Sequence, residues 1–162
     1  SYDDWNLKAP YDKEKWGVTI WSDDELTKTG KIKKFDSENY KNKDIICQIL
    51  RVKNDRYISK SFKLLKDTKL RIIALGEGYK PDLADYGWIE NDLNGQIMWE
   101  MTYRKTSHAG GAKKNRSFNG IVMLPKGEYN LIYKSDDSHS YNDWNATPPN
   151  DADRYGIILI KE

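Results

Sequence analysis

The sequence predicts an all-β chain: one antiparallel, jelly-roll-like β-sandwich of about eight or nine short strands with long polar loops. Three observations predict it. Apolar and polar residues alternate in short runs, the period of a half-buried strand. Turn chemistry (Asn-Gly, Pro-Lys-Gly, Lys-Asp-Thr) separates those runs. Aromatic residues make up 12% of the chain, from 11 Tyr, 6 Trp and 3 Phe, in a background rich in Asn, Asp and Lys. Aromatic side chains fit a pleated surface, and Asn and Asp fit the loops that join strands. A length of 162 residues suits a single domain, 1–162, with a core of its own.

The two ends of the chain are related. Residues 1–21 (SYDDWNLKAPYDKEKWGVTIW) align without a gap on residues 140–160 (SYNDWNATPPNDADRYGIILI), with identities that include Tyr2/Tyr141, Asp4/Asp143, Trp5/Trp144, Asn6/Asn145, Pro10/Pro149 and Gly17/Gly156. Each copy reads as a polar, proline-containing loop running into a strand that starts aromatic-Gly. The chain begins inside a copy, so a processed or excised piece of a longer protein is expected, and a missing leader sequence carries no weight. Residues 22–36 form a charged connection, and a helical turn is expected over 37–41.

Residues 44–52 (DIICQILRV) are short and β-branched and read as a strand, although Ile45, Ile46, Ile49 and Leu50 would also fit one helical face. From Tyr57 to Leu65, Ile58, Phe62 and Leu64 alternate with Tyr57, Ser59 and Ser61. After the turn Lys66-Asp67-Thr68, Leu70, Ile72 and Ala74 alternate up to Gly76, so the pair reads as a hairpin. The same unit recurs at Ile121–Leu124, the turn Pro125-Lys126-Gly127, and Tyr129, Leu131 and Tyr133. Between the two, Tyr86–Glu90 and Gln96–Tyr103 flank Asn94-Gly95, a strong hairpin signal. Ile97, Trp99, Met101 and Tyr103 would share one face. The last strand starts at Tyr155-Gly156, where the glycine marks a bulge or a close backbone approach.

Composition narrows the chemistry. With 27 basic and 25 acidic residues, the net charge of +2 gives no footprint for nucleic acid. The single cysteine, Cys47, excludes an internal disulfide and a cysteine zinc cluster. No apolar run is long enough to span a membrane. No GxSxG, HExxH or phosphate-binding glycine loop is present, and a non-catalytic protein is expected. Glu77, Glu90 and Glu100 would be the carboxylates of a small hydrolase of the glycosidase kind, and nothing in their spacing selects them.

Two loops hold the candidate sites. The loop 104–116 (RKTSHAGGAKKNR) carries Arg104, Lys105, Lys113, Lys114 and Arg116 and no acid. Gly110-Gly111 would let backbone amides approach an anion or a sugar. The competing expectation is docking by ion pairs onto Asp136, Asp137, Asp143, Asp151 and Asp153. In the loop 135–145 (SDDSHSYNDWN), Asp136 and Asp137 are candidate calcium ligands, although Asx-turns would use the same residues without a metal. His108 and His139, one in each loop, would fix loop conformation or help bind a ligand. For a carbohydrate ligand, the candidate residues are Trp5, Trp144, Asp143, Asn145, His108, Arg116 and His139, with the loop tryptophans stacking on sugar rings. Trp16, Trp88 and Trp99 are expected in the core. No cofactor other than calcium is expected.

The patterns FKLLKDTKLRIIALGEG and IVMLPKGEYNLIYKSDD resemble accessory β-sandwich domains of secreted bacterial proteins, of the pre-peptidase C-terminal type and, more loosely, Golgi-dynamics-like sandwiches. The shared features are a strand, a Pro-Lys-Gly-like turn, a Tyr-x-Leu-x-Tyr strand and an Asp/Ser-rich loop. The resemblance implies a non-catalytic binding or interaction module of a larger exported protein, extracellular or periplasmic, with a carbohydrate or protein partner. It transfers no individual functional residue.

Overall fold

The computed structural model describes residues 44–162. The expectations placed on 1–21, including Trp5, Trp16 and the first copy of the related segments, and those placed on 22–41, lie outside the described residues. Nine strands run in the order β1 (Ile45–Leu50), β2 (Tyr57–Leu64), β3 (Thr68–Tyr79), β4 (Asp82–Asn91), β5 (Ile97–Glu100), β6 (Ser107–His108), β7 (Asn115–Leu124), β8 (Gly127–Lys134) and β9 (Gly156–Lys161). Every pairing is antiparallel. Among the described residues no helix is long and apolar enough to cross a membrane.

One group of strands runs β1–β9–β3–β7–β6 and the other β2–β8–β4–β5. β4 belongs to both. Its first residues pair with β3, Glu77 opposite Asp85 and Tyr79 opposite Asp82. From Tyr86 onward it pairs with β8. Hydrogen bonding therefore runs through all nine strands as one sheet folded over its own core.

The alternating runs bury the residues their pattern marks. Phe62 and Leu64, Leu70, Ile72 and Ala74, and Tyr129, Leu131 and Tyr133 join Ile89, Trp99, Met101, Ile157 and Leu159 in one cluster. Residues 44–52 supply β1, as their β-branched composition predicts. The Asn94-Gly95 hairpin forms, with Ile89 opposite Trp99. A register shift between Ile89 and Glu90 follows, and Ile97 is exposed while Trp99 is buried. The expected common face of Ile97 and Trp99 is thus broken by a bulge.

The two other expected hairpins do not form. β2 pairs with β8, not with β3, and β7 pairs with β3, not with β8. Each unit is an arch whose turn carries the chain from one strand group to the other, and the two arches pair with each other. Their turns are tied where Lys126 N–H donates to Asp67 Oδ1 at 2.8 Å. An arch and a hairpin bury the same alternate residues, so the sequence pattern cannot separate them.

The aromatic-Gly start of β9 is a close approach. Gly156 has φ +132°, and a Cβ on it would lie 2.1 Å from the carbonyl oxygen of Ile49 on β1. Neither the dihedral nor the space admits a side chain. Gly156→Ala is expected to cost about 3 kcal/mol or more, a strained φ added to a backbone clash. Chemical denaturation of the variant checks this, and a loss below about 1 kcal/mol would contradict the close approach.

Candidate functional site

Strand alternation places two aromatic residues of β4 on the outside. Gly87 and Ile89 point into the core, where Ile89 is fully buried, so Trp88 faces outward, while Tyr86, half-buried beside it, also packs against the inner cluster. Tyr57 on β2 joins them. Its ring meets Trp88 edge-on at 5.8 Å, and Tyr86 meets Trp88 at 5.5 Å. On β8, Lys134 lies between Tyr57 and Tyr86, and Ile132, opposite Trp88, is 2% exposed although it belongs to no part of the inner cluster. Tyr57 itself is 66% exposed.

Polar groups surround this row. Trp88 Nε1–H donates to Glu90 Oε2 at 3.3 Å, and Glu100 lies directly across the ladder from Trp88. Beyond Tyr86 the face falls into a groove of about 420 Å³ lined by Tyr86, Tyr103, Asp82, Glu100 and Lys134. Arg116 braces its far wall. Its guanidinium lies 4.3 Å from the Tyr103 ring and donates to the Thr106 hydroxyl at 3.0 Å and the Thr106 carbonyl at 2.6 Å. An aromatic strip with carboxylate and ammonium groups beside it presents apolar ring faces and hydrogen-bond partners together. The alternation of Gly87 and Ile89 was the signal for this face. Trp88, expected in the core with Trp99, is half-buried on the outside, whereas Trp99 is buried as expected.

The residues selected in the loops make contacts of their own. Trp144 is half-buried and packs edge-on against His139 at 5.0 Å and Tyr155 at 5.1 Å, closing one end of the core. His139 is fully buried. The Asn115 amide is fixed by the two bonds its Nδ2 donates, to Gly110 O and Thr147 O. Its Oδ1 therefore accepts from His139 Nε2–H at 2.6 Å, and His139 Nδ1 lies 3.0 Å from the Asn145 amide. Burial lowers the His139 pKa, with the Lys114 charge acting the same way, so the imidazole is a neutral strut. His108 is exposed on β6, its Nε2 at 3.0 Å from the Ala112 carbonyl. Asp143 is exposed and accepts from Asn54 Nδ2 at 2.7 Å.

The basic loop does lie against the 136–153 segment, but amides hold it there. Ala112 N–H donates to Thr147 O and Asn150 N–H donates to Ala109 O, both at 3.0 Å. Gly111 has φ +63°, and a Cβ there would lie 2.0 Å from the Pro148 carbonyl, so the glycine pair admits this chain's own backbone. No nitrogen of Arg104, Lys105, Lys113, Lys114 or Arg116 makes an ion pair with Asp136, Asp137, Asp143, Asp151 or Asp153 among the described residues. The expected ionic docking is wrong, because exposed ion pairs gain little over hydration while buried backbone groups must be paired.

Lys114 turns inward, its Nζ 2.7 Å from Glu77 Oε2. Glu77, Asp85 and Asp136 bring carboxylate oxygens within 4.8 Å of one another. They are the described acidic residues placed to share a cation, and the Lys114 ammonium already lies against one of them. Asp136, one of the two expected calcium ligands, is in this group. Asp137 is not, and Asp136 Oδ1 also accepts from Ser138 N–H at 3.0 Å. Asp85 is fully buried and accepts from Asp136 N–H at 2.8 Å and Tyr155 O–H at 2.7 Å. Burial outweighs both bonds and pushes its pKa up to about 7, and the charges of Asp136 and Glu77 add to the rise. Burial also raises Glu77, against the opposing pull of Lys114.

No family model matches the chain, and no curated protein matches it.

The Asp85 shift makes stability depend on pH. Its folded pKa lies above the unfolded value near 4, so the contribution is complete below about pH 4, declines as pH rises toward 7, and stays lost above it. Thermal melts at pH 5 and pH 8 should show the higher stability at pH 5. Asp85→Asn should remove most of the difference, which is on the order of 2–4 kcal/mol. An Asp85→Asn protein with the wild-type pH profile would place the titration elsewhere.

Proposed function

We propose that the chain is a non-catalytic binding module of a larger exported bacterial protein, extracellular or periplasmic, and that it binds a carbohydrate on the outer face of β2–β8–β4–β5. The row Tyr57–Trp88–Tyr86 carries this reading. Three aromatic side chains stand together, and two of them, Tyr57 and Trp88, lie outside the inner cluster on the sheet face. Sugar rings present C–H faces that pack on such rings, and their hydroxyls need acceptors and donors at the margin, which Glu90, Glu100, Asp82 and Lys134 supply. The groove at Tyr103 gives the strip an end that would hold one sugar while the rest of a chain lies over Trp88. The exported, bacterial part of the proposal rests on the resemblance of the two arch sequences to accessory domains of secreted proteins.

Two carboxylates flank the same strip, and a small hydrolase would use them. Glu90 accepts from the indole of Trp88, which leaves it a positioning partner for that ring. The binding reading uses every residue of the face, and the hydrolase reading uses two.

Affinity electrophoresis in gels containing cellulose, xylan, mannan or mixed-linkage β-glucan tests the proposal. The wild-type protein should be retarded in at least one of them. Trp88→Ala should weaken that interaction about thirtyfold, the loss of one central aromatic anchor, and Tyr57→Ala should weaken it less. Unretarded migration in all four gels, or retardation that survives Trp88→Ala, would rule out the face.

A further inference from the structure

A second site lies where the β1–β2 loop meets the segment after β8. The two are fastened by backbone and hydroxyl bonds. Tyr141 N–H donates to Val52 O at 2.9 Å, Asp55 N–H to Asp136 O at 2.7 Å, and Ser135 Oγ–H to Lys53 O at 2.6 Å. Between them is a cavity of about 380 Å³ lined by Lys53, Asn54, Arg56, Tyr141, Asn142 and Asp143. That volume is in the range of small-molecule sites.

Three features mark these two segments. Among the described residues the non-glycine positions with positive φ are Arg51 (55°), Asp55 (53°), His139 (58°) and Asn142 (66°), and all four lie in these two segments. Left-handed backbone at non-glycine residues is costly and collects at functional sites. Secondly, Asn54 Oδ1 and Ser140 Oγ are buried and have no hydrogen-bond partner. Buried polar atoms are nearly always paired, and of these two Asn54 belongs to the cavity's lining. Thirdly, neither Lys53 nor Arg56 has a carboxylate partner among the described residues.

We propose that this cavity binds a small hydroxylated carboxylate of the uronic-acid type. An anion alone would meet the Asp143 carboxylate. A neutral sugar would leave the two cations unmatched. A uronate satisfies both: its carboxylate meets Lys53 and Arg56, its hydroxyls donate to the exposed Asp143 carboxylate, and its ring packs beside Tyr141. Tyr141 is held ready for it, with the Arg51 guanidinium 5.6 Å from its ring and its hydroxyl donating to Asp153 at 3.1 Å. The site shares no residue with the aromatic face, and either reading stands without the other.

The test is an NMR titration of the backbone amides with D-glucuronate, with methyl glucoside and acetate as controls. Glucuronate should give saturable shifts in residues 51–56 and 140–143. The double variant Lys53→Ala/Arg56→Ala changes only exposed side chains and should weaken binding by about tenfold or more, as for loss of charged hydrogen-bond partners. Asp143→Asn should weaken it less, and Trp88→Ala should leave it unchanged. Absence of saturable shifts overturns the site. Acetate binding as tightly removes the role of the hydroxyls, and methyl glucoside binding as tightly removes the role of the charge; either result overturns the ligand class. Shifts confined to Trp88 and its neighbours would leave only the aromatic face.

Discussion

The carboxyl group of Asp85 holds the fold at its corner. β4 leaves β3 and joins β8 at this residue, and the side chain gathers what surrounds the change of partner. It takes the Tyr155 hydroxyl from just before β9 and the Asp136 amide from just after β8, and it faces Glu77 across the β3–β4 ladder. Glu77 in turn is paired with Lys114, from the residue before β7. Three carboxylates and one ammonium cannot all be charged cheaply in a buried place, and the raised pKa values of Asp85 and Glu77 are the consequence. A protonated Asp85 keeps both contacts, since a phenol can accept from a carboxylic acid as well as donate to a carboxylate.

This corner sets up the aromatic face. Once β4 has crossed to β8, its alternation is fixed by Gly87 and Ile89, which fill the inside. Gly87 leaves room for Ile157 and Tyr133, and a Cβ there would meet both at 3.1 Å. Trp88 is left on the outside, opposite Ile132 on β8, and Tyr86 packs partly against the inner cluster, so these rings take a structural share. The groove beside them uses Asp82 and Leu83, residues of the same corner on the turn from β3. The shape of the face is therefore tied to the buried charge cluster a few residues away.

Much of this was legible in the sequence. Alternation and turn residues located the strands from Ile45 onward, and Asn94-Gly95 located a hairpin. What the pattern could not carry was partnership. Phe62, Leu64 and Leu70 are inward in an arch or a hairpin alike, so β2 and β3 looked like neighbours when each pairs with the other arch. Trp88 was misread for a related reason. It was assigned to the core by residue type, although its spacing from Ile89 already put it on the opposite face. Trp144, expected to meet a ligand because it lies in a loop, is half-buried against His139 and Tyr155. Charge was the least reliable guide: Lys114 found its partner in Glu77 on a strand and none in the aspartate-rich loop.

The two loops that drew attention as opposite charges are instead joined by neutral groups, and that difference matters for what they can do. Ion pairs at the surface loosen with salt and tolerate many geometries. Amide bonds through Ala112, Asn115 and Asn150, together with a buried neutral imidazole at His139, fix one geometry. A segment held that way can keep Asn142 and His139 in left-handed backbone and can leave Ser140 Oγ and Asn54 Oδ1 without partners. Lys53 and Arg56, without carboxylate partners among the described residues, line the cavity beside this segment.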